Sequence, residues 1–467
     1  MSIPFRASDV AAWTDGFLRQ GPEEARFTGT GIDSRQLKAG DLFIAIVGPS
    51  HDAHHFLGAA TTSGARGFVI ERGRQLPVEV TSEFPIVEVD DTTRALGQLA
   101  SRHRADFGGP LVAITGSNGK TTTKEMCAAI LSISGPCLKN EGNLNNQFGL
   151  PLTLLRREAS DRRIVVEIGM NHRGEIAALS EIAQPTIGVI TNVGSAHIEH
   201  LGTRDEIARE KGDLLARLPA EGTAVVNADD PQVMAQAPRS AARVVSFGRG
   251  READVRADKV TSRTGQGYEF ELCAPEGRVA VELRALGETA IANALAAAAA
   301  ALAAGASLDD VTRGLSTFRP VGGRLQRRDL PDRVVLIDDT YNANPESVAA
   351  ALQSLAQGKG RQRGLVVIGE MGELGETSAS AHAAIGTRVV ELGLEFLFAM
   401  SGGAEAAAEA ALKAGMPPER VTVCSRHADL AAEVSSALQP GDWILVKGSR
   451  AAQMERVVES LATRGKS

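Results

Sequence analysis

The sequence predicts an α/β protein of three domains. A small α/β N-terminal domain covers 1–109, a central domain with a mostly parallel sheet covers 110–319, and a C-terminal Rossmann-like domain covers 320–467. Three observations carry this reading. A chain of 467 residues at about 150 residues per domain gives three units. Short apolar runs alternate with helical stretches over two long zones, the pattern of strands joined by crossover helices. Breaker clusters at Gly108-Gly109-Pro110 and Arg319-Pro-Val-Gly-Gly323 divide the zones.

Composition removes several function classes. Lys and Arg total 50 against 57 Asp and Glu, a net charge of −7, which argues against a nucleic-acid footprint. Only 14 Phe, 2 Tyr and 2 Trp are present, too few for a base-stacking platform. The cysteines Cys127, Cys137, Cys273 and Cys424 lack metal or redox spacing. At this density a disulfide framework is implausible and a reducing compartment fits. The start, MSIPFRASDVAAW, lacks an apolar run behind a basic residue, so no leader is expected. The longest apolar stretch, 294–304, is mostly alanine and too short for a bilayer. A cytoplasmic, monomeric protein without nucleic-acid partners or membrane insertion is expected.

The elements follow in order. The first zone has apolar runs at Asp41–Val47 and Gly67–Ile70. The second opens with the buried-strand pattern Leu111–Ile114, followed by a Gly-rich turn. Met126, Ala129, Ile130 and Ile133 then recur at helical spacing. Further strands are expected at Ile164–Ile168, Ile187–Ile190 and Ala224–Val226, an antiparallel edge over 253–286, and two alanine-rich helices over 290–318. In the third zone, strands at 334–337, 365–368, 397–400, 421–423 and 444–446 alternate with helices at 346–356, 379–392, 403–414, 428–437 and 451–462. Its glycines form no G-x-G-x-x-G fingerprint, which disfavours a dinucleotide site there.

The sharpest local signal is Thr115-Gly-Ser-Asn-Gly-Lys-Thr-Thr122, between the apolar run and the amphipathic helix. Gly116 and Gly119 permit close backbone approach to phosphate, and the N–H groups from Ser117 and Asn118 onward, with the helix start, surround it. Lys120 is placed to pair with β- and γ-phosphate oxygens and the Thr121 hydroxyl to reach Mg²⁺. The loop is a shortened variant, because Ile114 stands where a standard Walker A has glycine. It makes the central domain P-loop ATPase-like; the competing reading is a chance Gly-Lys-Thr turn.

Glu167 ends an apolar strand, where a carboxylate is costly to bury unpaired. Beside a phosphate loop, Mg²⁺ is its natural partner, with a satisfied structural carboxylate as the alternative. His197 also follows a strand, although a lone histidine is more often structural. Lys211, in the helical stretch Thr203–Gly212, reads by itself as a solvated surface lysine. The run Asp338-Asp-Thr-Tyr-Asn-Ala-Asn-Pro345 reads as a ligand loop at the carboxyl edge of a sheet, or as a plain Asx-capped turn. Lys447-Gly-Ser-Arg450 follows the last strand and suggests an anion site at a helix start, or a simple cap.

Together these segments closely resemble the Mur ligases, ATP-dependent amide-bond ligases of peptidoglycan precursor synthesis. Further carriers are Asp33-Ser-Arg35, Lys38-Ala-Gly-Asp-Leu-Phe43, Gly142-Asn-Leu-Asn-Asn-Gln147, Glu167-Ile-Gly-Met-Asn171, Asn192–Gly202 and Glu370-Met-Gly-Glu-Leu-Gly375. The chain has no Asp-Asn-Pro-Arg segment, and the pattern resembles most the family step that adds D-alanyl-D-alanine to UDP-N-acetylmuramoyl-tripeptide. The resemblance implies that Ser34 and Arg35 lie in the domain holding the uridine end, and that Asn145 and Asn146 face the substrate. It implies that Lys120, Thr121, Glu167 and His197 hold ATP and Mg²⁺, and that Lys211 is carbamylated as a further metal ligand. The loop residues Gly116 to Thr122, with Asn293, Arg324 and Asp339, are implied to contact nucleotide, and Asn342 and Asn344 to lie near the incoming dipeptide.

Two departures are visible. Glu288-Thr-Ala290 stands where the family usually carries a His-Asn pair, and His51-Asp-Ala-His54 where it favours Asp-Gly-His. Rival readings are another Mur-type or folylpolyglutamate-type ligase, and a P-loop switch that hydrolyses nucleotide without ligating.

Overall fold

The computed structural model describes residues 3–196 and 198–463. Three sheet-centred domains follow one another along the chain. The first carries a five-stranded sheet in the order Phe17–Gln20, Ile86–Val89, Ala65–Glu71, Asp41–Ile44, Gly29–Gly31. All its pairings are parallel except that of Phe17–Gln20. The apolar run from Asp41 is a strand only to Ile44, where every residue is buried.

The central sheet has nine strands. From edge to edge they are Gly277–Leu283, Gly267–Ala274, Val255–Arg263, Arg243–Gly248, Thr223–Asn227, Ile187–Ile190, Leu111–Thr115, Arg163–Glu167 and Cys137–Lys139. The first three form the expected antiparallel edge, and the remaining pairings are parallel. Leu111–Thr115 is buried along its whole length, which accounts for its unbroken apolar pattern. The chain leaves this strand for one side of the sheet and later resumes on the other. Its carboxyl end is therefore a switch point where a crevice opens.

Two helix readings need correction. The helix after the phosphate loop spans Lys120–Leu131, so Ile133 falls in the short 3₁₀ turn Ser132–Ser134. Of the two helices over 290–318, only Thr289–Ala303 is alanine-rich. Leu308–Thr317 is instead amphipathic, closed at its start by a capping box between Ser307 and Asp310.

The third sheet runs Gln326–Asp329, Val335–Asp339, Trp443–Lys447, Gly364–Ile368, Phe396–Met400, Val421–Cys424. Only the Gln326–Asp329 edge is antiparallel. The last helix begins at Glu455 rather than 451, with Gln453 at φ 49° in the turn before it. Lys447-Gly-Ser-Arg450 is thus separated from the helix start, so the helix-start geometry expected there is absent.

The first two domains share one core. Leu96 and Leu99 of the helix Thr92–Ala105 join Leu150, Leu154 and Leu179 of the central domain. Arg104 fastens the joint by donating to the carbonyls of Ala183 at 3.0 Å and Gln184 at 3.0 Å.

Candidate active site

A cleft of about 950 Å³ opens between the central and C-terminal domains, at the carboxyl ends of their parallel strands. Ser117, Asn118, Gly119, Lys120, Thr121 and Thr122 form its floor, with Asn145, Asn146, Glu167 and Asn293. Arg324, Asp339, Asn342 and Asn344 form the opposite wall.

The floor is a loop emerging from the buried strand. Gly116 (φ +148°) and Gly119 (φ +82°) take conformations that suit glycine. A Cβ on Gly116 would come within 1.9 Å of Thr191 Oγ1, and one on Gly119 within 2.2 Å of Asn293 Oδ1. The neighbouring strand end moulds the loop. Asn118 N–H donates to Asn192 Oδ1 at 2.9 Å, and Thr191 Oγ1 donates to Asn118 O at 2.6 Å. Ser117 Oγ accepts from Gly194 N–H at 2.8 Å. Gly119 caps the helix Lys120–Leu131, whose free N–H groups point into the cleft. Lys120 folds back, its Nζ donating to Gly116 O at 2.7 Å. Burial lowers the Lys120 ammonium from its ordinary range, with Glu167 opposing and Arg324 adding to the shift. An anion in the loop would relieve both strains.

Beside the loop, Thr121 Oγ1 donates to Glu167 Oε2 at 2.6 Å and Asn145 Nδ2 donates to Glu167 Oε1 at 2.8 Å. Glu167 is 3% exposed. Asn140 clamps its backbone, accepting from Glu167 N–H at 2.9 Å and donating to Glu167 O at 3.1 Å. A hydroxyl and a carboxylate side by side, both fixed and both oxygen, fit a hard divalent cation such as Mg²⁺. Asn146 lines the cleft while its Oδ1 accepts from Phe148 and Gly149 N–H at the start of the helix Gly149–Leu155.

Lys211 overturns its reading as a surface lysine. It is 1% exposed on the inward face of the helix Arg204–Ala216. The contact of its Nζ is the Met170 sulfur at 3.8 Å, and Met170 lines the cleft. Burial holds the amine well below the usual lysine range; Lys120 adds to this and Glu210 opposes it. Its neighbour Glu210 accepts from Gly174 N–H at 2.9 Å and Ile176 N–H at 3.1 Å, which fixes the helix against the start of Glu175–Ala183. An amine buried in this way, with no carboxylate in contact with its Nζ among the described residues, is shifted toward its nucleophilic neutral form.

On the facing wall, Arg324 stacks over the Tyr341 ring at 4.0 Å. Asp339 accepts from Leu325 N–H at 3.0 Å and from Lys447 Nζ at 2.6 Å. Lys447 also donates to Asn342 O at 2.8 Å, so its charge is spent within the loop. Asn344 caps the helix Pro345–Lys359 by accepting from Ser347 N–H at 2.9 Å. Its Nδ2 crosses the cleft to Asn118 Oδ1 at 2.8 Å. Asp338, the other acid of the pair, is turned away and bound to Arg328 at 2.6 Å.

Ser34 and Arg35 lie in the first domain, outside the cleft lining. Arg35 is 85% exposed and forks onto Asp33 through Nε at 2.9 Å and Nη2 at 2.8 Å. Gly116 and Lys211 also sit behind the lining rather than in it. His197 lies outside the described residues. Met170, Tyr341 and Ser195 lie in segments the sequence singled out but were given no role of their own, and Glu346 was not marked at all. Met170 and Tyr341 are individually indistinguishable from core residues, and Ser195 and Glu346 matter through a contact between domains.

Comparison with known proteins places this geometry. Three family models match in succession: Mur ligase family, catalytic domain, over 26–104; Mur ligase middle domain over 114–301; and Mur ligase, glutamate ligase domain, over 323–450. The UDP-N-acetylmuramoyl-tripeptide–D-alanyl-D-alanine ligase of Escherichia coli K12 is 37% identical, the match covering 93% of each chain. That of Mycobacterium tuberculosis H37Rv is 36% identical over 94% of each. A crystal structure of MurF from Acinetobacter baumannii superposes with a TM-score of 0.89 at 34% identity, covering 99% of this chain and 100% of that one. MurF from Thermotoga maritima in complex with ADP gives 0.82 at 28% identity, covering 94% and 98%. With the fold, the cleft and all three family models in agreement, the chain belongs to the Mur ligase family.

Proposed function

We propose that this protein joins D-alanyl-D-alanine to UDP-N-acetylmuramoyl-tripeptide at the expense of ATP, in peptidoglycan precursor synthesis. The observation that carries the reading is the phosphate loop Gly116–Thr122 with Glu167 hydrogen-bonded to Thr121, in a chain whose whole-length relatives are named for that reaction.

A free carboxylate is a poor electrophile, so the terminal carboxylate of the tripeptide first attacks the γ-phosphorus. ADP leaves and an acyl phosphate forms. The dipeptide amine then attacks the acyl carbon, the C–O bond to phosphate breaks, and the amine loses a proton. Lys120 and the loop N–H groups neutralise the transferring phosphoryl group. Mg²⁺, held by Thr121, Glu167, His197 and a carbamylated Lys211, would supply Lewis acidity at the phosphate oxygens. Carbamylation suits Lys211: its neutral amine forms an N–C bond to CO₂ and releases a proton to solvent, and the product is an anionic oxygen donor in place of a cation. Asn293, Arg324 and Asp339 hold the nucleotide, Asn145 and Asn146 face the peptide, and Asn342 and Asn344 flank the incoming dipeptide. Residues 1–109, through Ser34 and Arg35, hold the uridine end, while 110–319 bind ATP and 320–467 bring the dipeptide. These substrates put the work in the cytoplasm, and one chain suffices for it.

An acceptor panel with UDP-N-acetylmuramoyl-tripeptide and ATP, read by mass spectrometry, tests the reading. A product one D-alanyl-D-alanine heavier is expected, and its loss is expected in Lys120→Ala. Phosphate release with L-amino acids but not with D-alanyl-D-alanine rejects it, as does ATP turnover indifferent to acceptor.

A further inference from the structure

The first turn of the helix Pro345–Lys359 brings the C-terminal domain onto the phosphate-loop region. Glu346 there reaches across the cleft with both carboxylate oxygens. Oε1 accepts from Ser195 N–H at 2.9 Å and Oε2 from Ser195 Oγ at 2.9 Å. Its carboxyl carbon stands 3.3 Å from where a Gly194 Cβ would lie, so Gly194 leaves the room this approach needs. Gly194 N–H in turn donates to Ser117 Oγ in the phosphate loop. Asn344, two residues earlier and 6% exposed, binds Asn118 directly. Two ties therefore run from one helix turn to adjacent residues of the phosphate loop, one direct and one through Gly194 and Ser195. An acid in a first helical turn is also favoured by the helix dipole.

We infer that Glu346 is a positioning residue. Its two-pronged grip on Ser195 clamps the C-terminal domain over the phosphate loop and keeps water from the activated carboxyl group. The inference rests on the ligase reading for its chemical consequence, though not for the grip itself. Without the grip, water attacks the acyl carbon, the C–O bond to phosphate breaks, and carboxylate and phosphate are released. One ATP is then consumed without product.

Two measurements test it on the full chain. In the first, without substrates, hydrogen exchange at the Ser195 amide should be about 10- to 160-fold faster in Glu346→Ala, the effect of losing a charge-assisted bond. Ser195→Ala, which removes only the hydroxyl tie, should give a smaller opening of the 193–195 segment, and the double variant should match Glu346→Ala alone. In the second, with all substrates, the ratio of ADP to ligated product should rise above one in Glu346→Ala and return toward one in Glu346→Gln, which keeps one acceptor oxygen. Unchanged Ser195 exchange overturns the grip. Faster exchange with a ratio still at one overturns its role in shielding. Absence of ligation by the unaltered protein refutes the ligase reading instead, and leaves the exchange result to decide the grip.

Discussion

Thr121 Oγ1 and Glu167 Oε2 stand 2.6 Å apart although 46 residues separate them in the chain. Parallel pairing of Leu111–Thr115 with Arg163–Glu167 sets Glu167 beside Ile114, one turn of loop away from the helix that carries Thr121. Glu167→Gln preserves shape and hydrogen bonding while removing the charge that a cation needs. We expect turnover to fall about 100- to 1000-fold, with a higher Mg²⁺ requirement and little change in thermal stability. Magnesium titration of ADP formation measures this; an unchanged half-saturation point would contradict it.

Lys211 should trade stability for function. Its folded pKa lies well below the ordinary lysine value. Below the unfolded pKa the unfolded chain therefore binds the extra proton, and this site weakens the fold at neutral pH. Lys211→Met removes the buried amine and should raise Tm measured without CO₂, while abolishing ligation. In the unaltered protein, ¹³C-bicarbonate should give a carbamate NMR signal that the variant lacks. A signal surviving in the variant would assign it to another lysine.

Gly119→Ala should damage nucleotide binding more than folding. The residue sits at φ +82°, where alanine costs roughly 1–2 kcal/mol, and its methyl would push into Asn293. A KM for ATP raised about 10-fold or more is the expected result, with a near-normal KM for the dipeptide. Isothermal titration with ADP gives the same comparison without turnover.

The joint between the first two domains should be acid-sensitive through His103. The ring is 3% exposed, near the Ile3 and Leu154 backbone, with neither nitrogen in a well-aligned hydrogen bond among the described residues. Burial lowers its pKa, and Arg157 adds to this. Below the ordinary histidine value of 6.5 the unfolded state takes the proton more readily. Stability is therefore full above that pH and declines as pH falls from there toward the folded value. His103→Phe should flatten that decline in Tm between about pH 7 and 5; an identical slope in both proteins would exclude His103 as its source.

His382 is fully buried and serves as a backbone clip. Its Nε2 accepts from Met371 N–H at 2.9 Å and its Nδ1 meets Ser378 O at 2.8 Å. These bonds fix the segment Glu370–Gly375, where Glu373 takes φ 59°. His382→Leu strands the Met371 N–H at about 1–3 kcal/mol, whereas Ser378 O keeps its place in the helix Ser378–Glu391, so a drop in urea midpoint is expected. Recovery in His382→Gln, which restores one acceptor, separates lost bonding from lost volume.

Much of this was legible beforehand for local reasons. A loop from Thr115 to Thr122 between a buried strand and a helix carries its own chemistry, since glycines, lysine and hydroxyl are contiguous. The alternation of the third zone recovers four inner parallel strands because each is largely buried and reads as a mainly apolar run, while the half-exposed edge strand Val421–Cys424 is recovered from its alternation with the flanking helices. The surface reading of Lys211 failed because helical spacing alone does not say which face turns inward; Glu210 holds that face against the earlier helix Glu175–Ala183. The Lys447 segment was misplaced at a helix start because the helix begins only at Glu455, and the pairing of its lysine with Asp339, more than a hundred positions earlier, is invisible to local pattern.

The sequence by itself determined the three-part α/β plan, the phosphate loop and the acidic strand end, because propensity, periodicity and glycine conformation act within a few neighbouring residues. Only the tertiary structure decided that Lys211 loses its water, that Asn344 reaches Asn118 and that Glu346 grips Ser195. Burial and charge pairing depend on which distant surfaces meet, and that is set by strand order and domain packing rather than by any short stretch of chain.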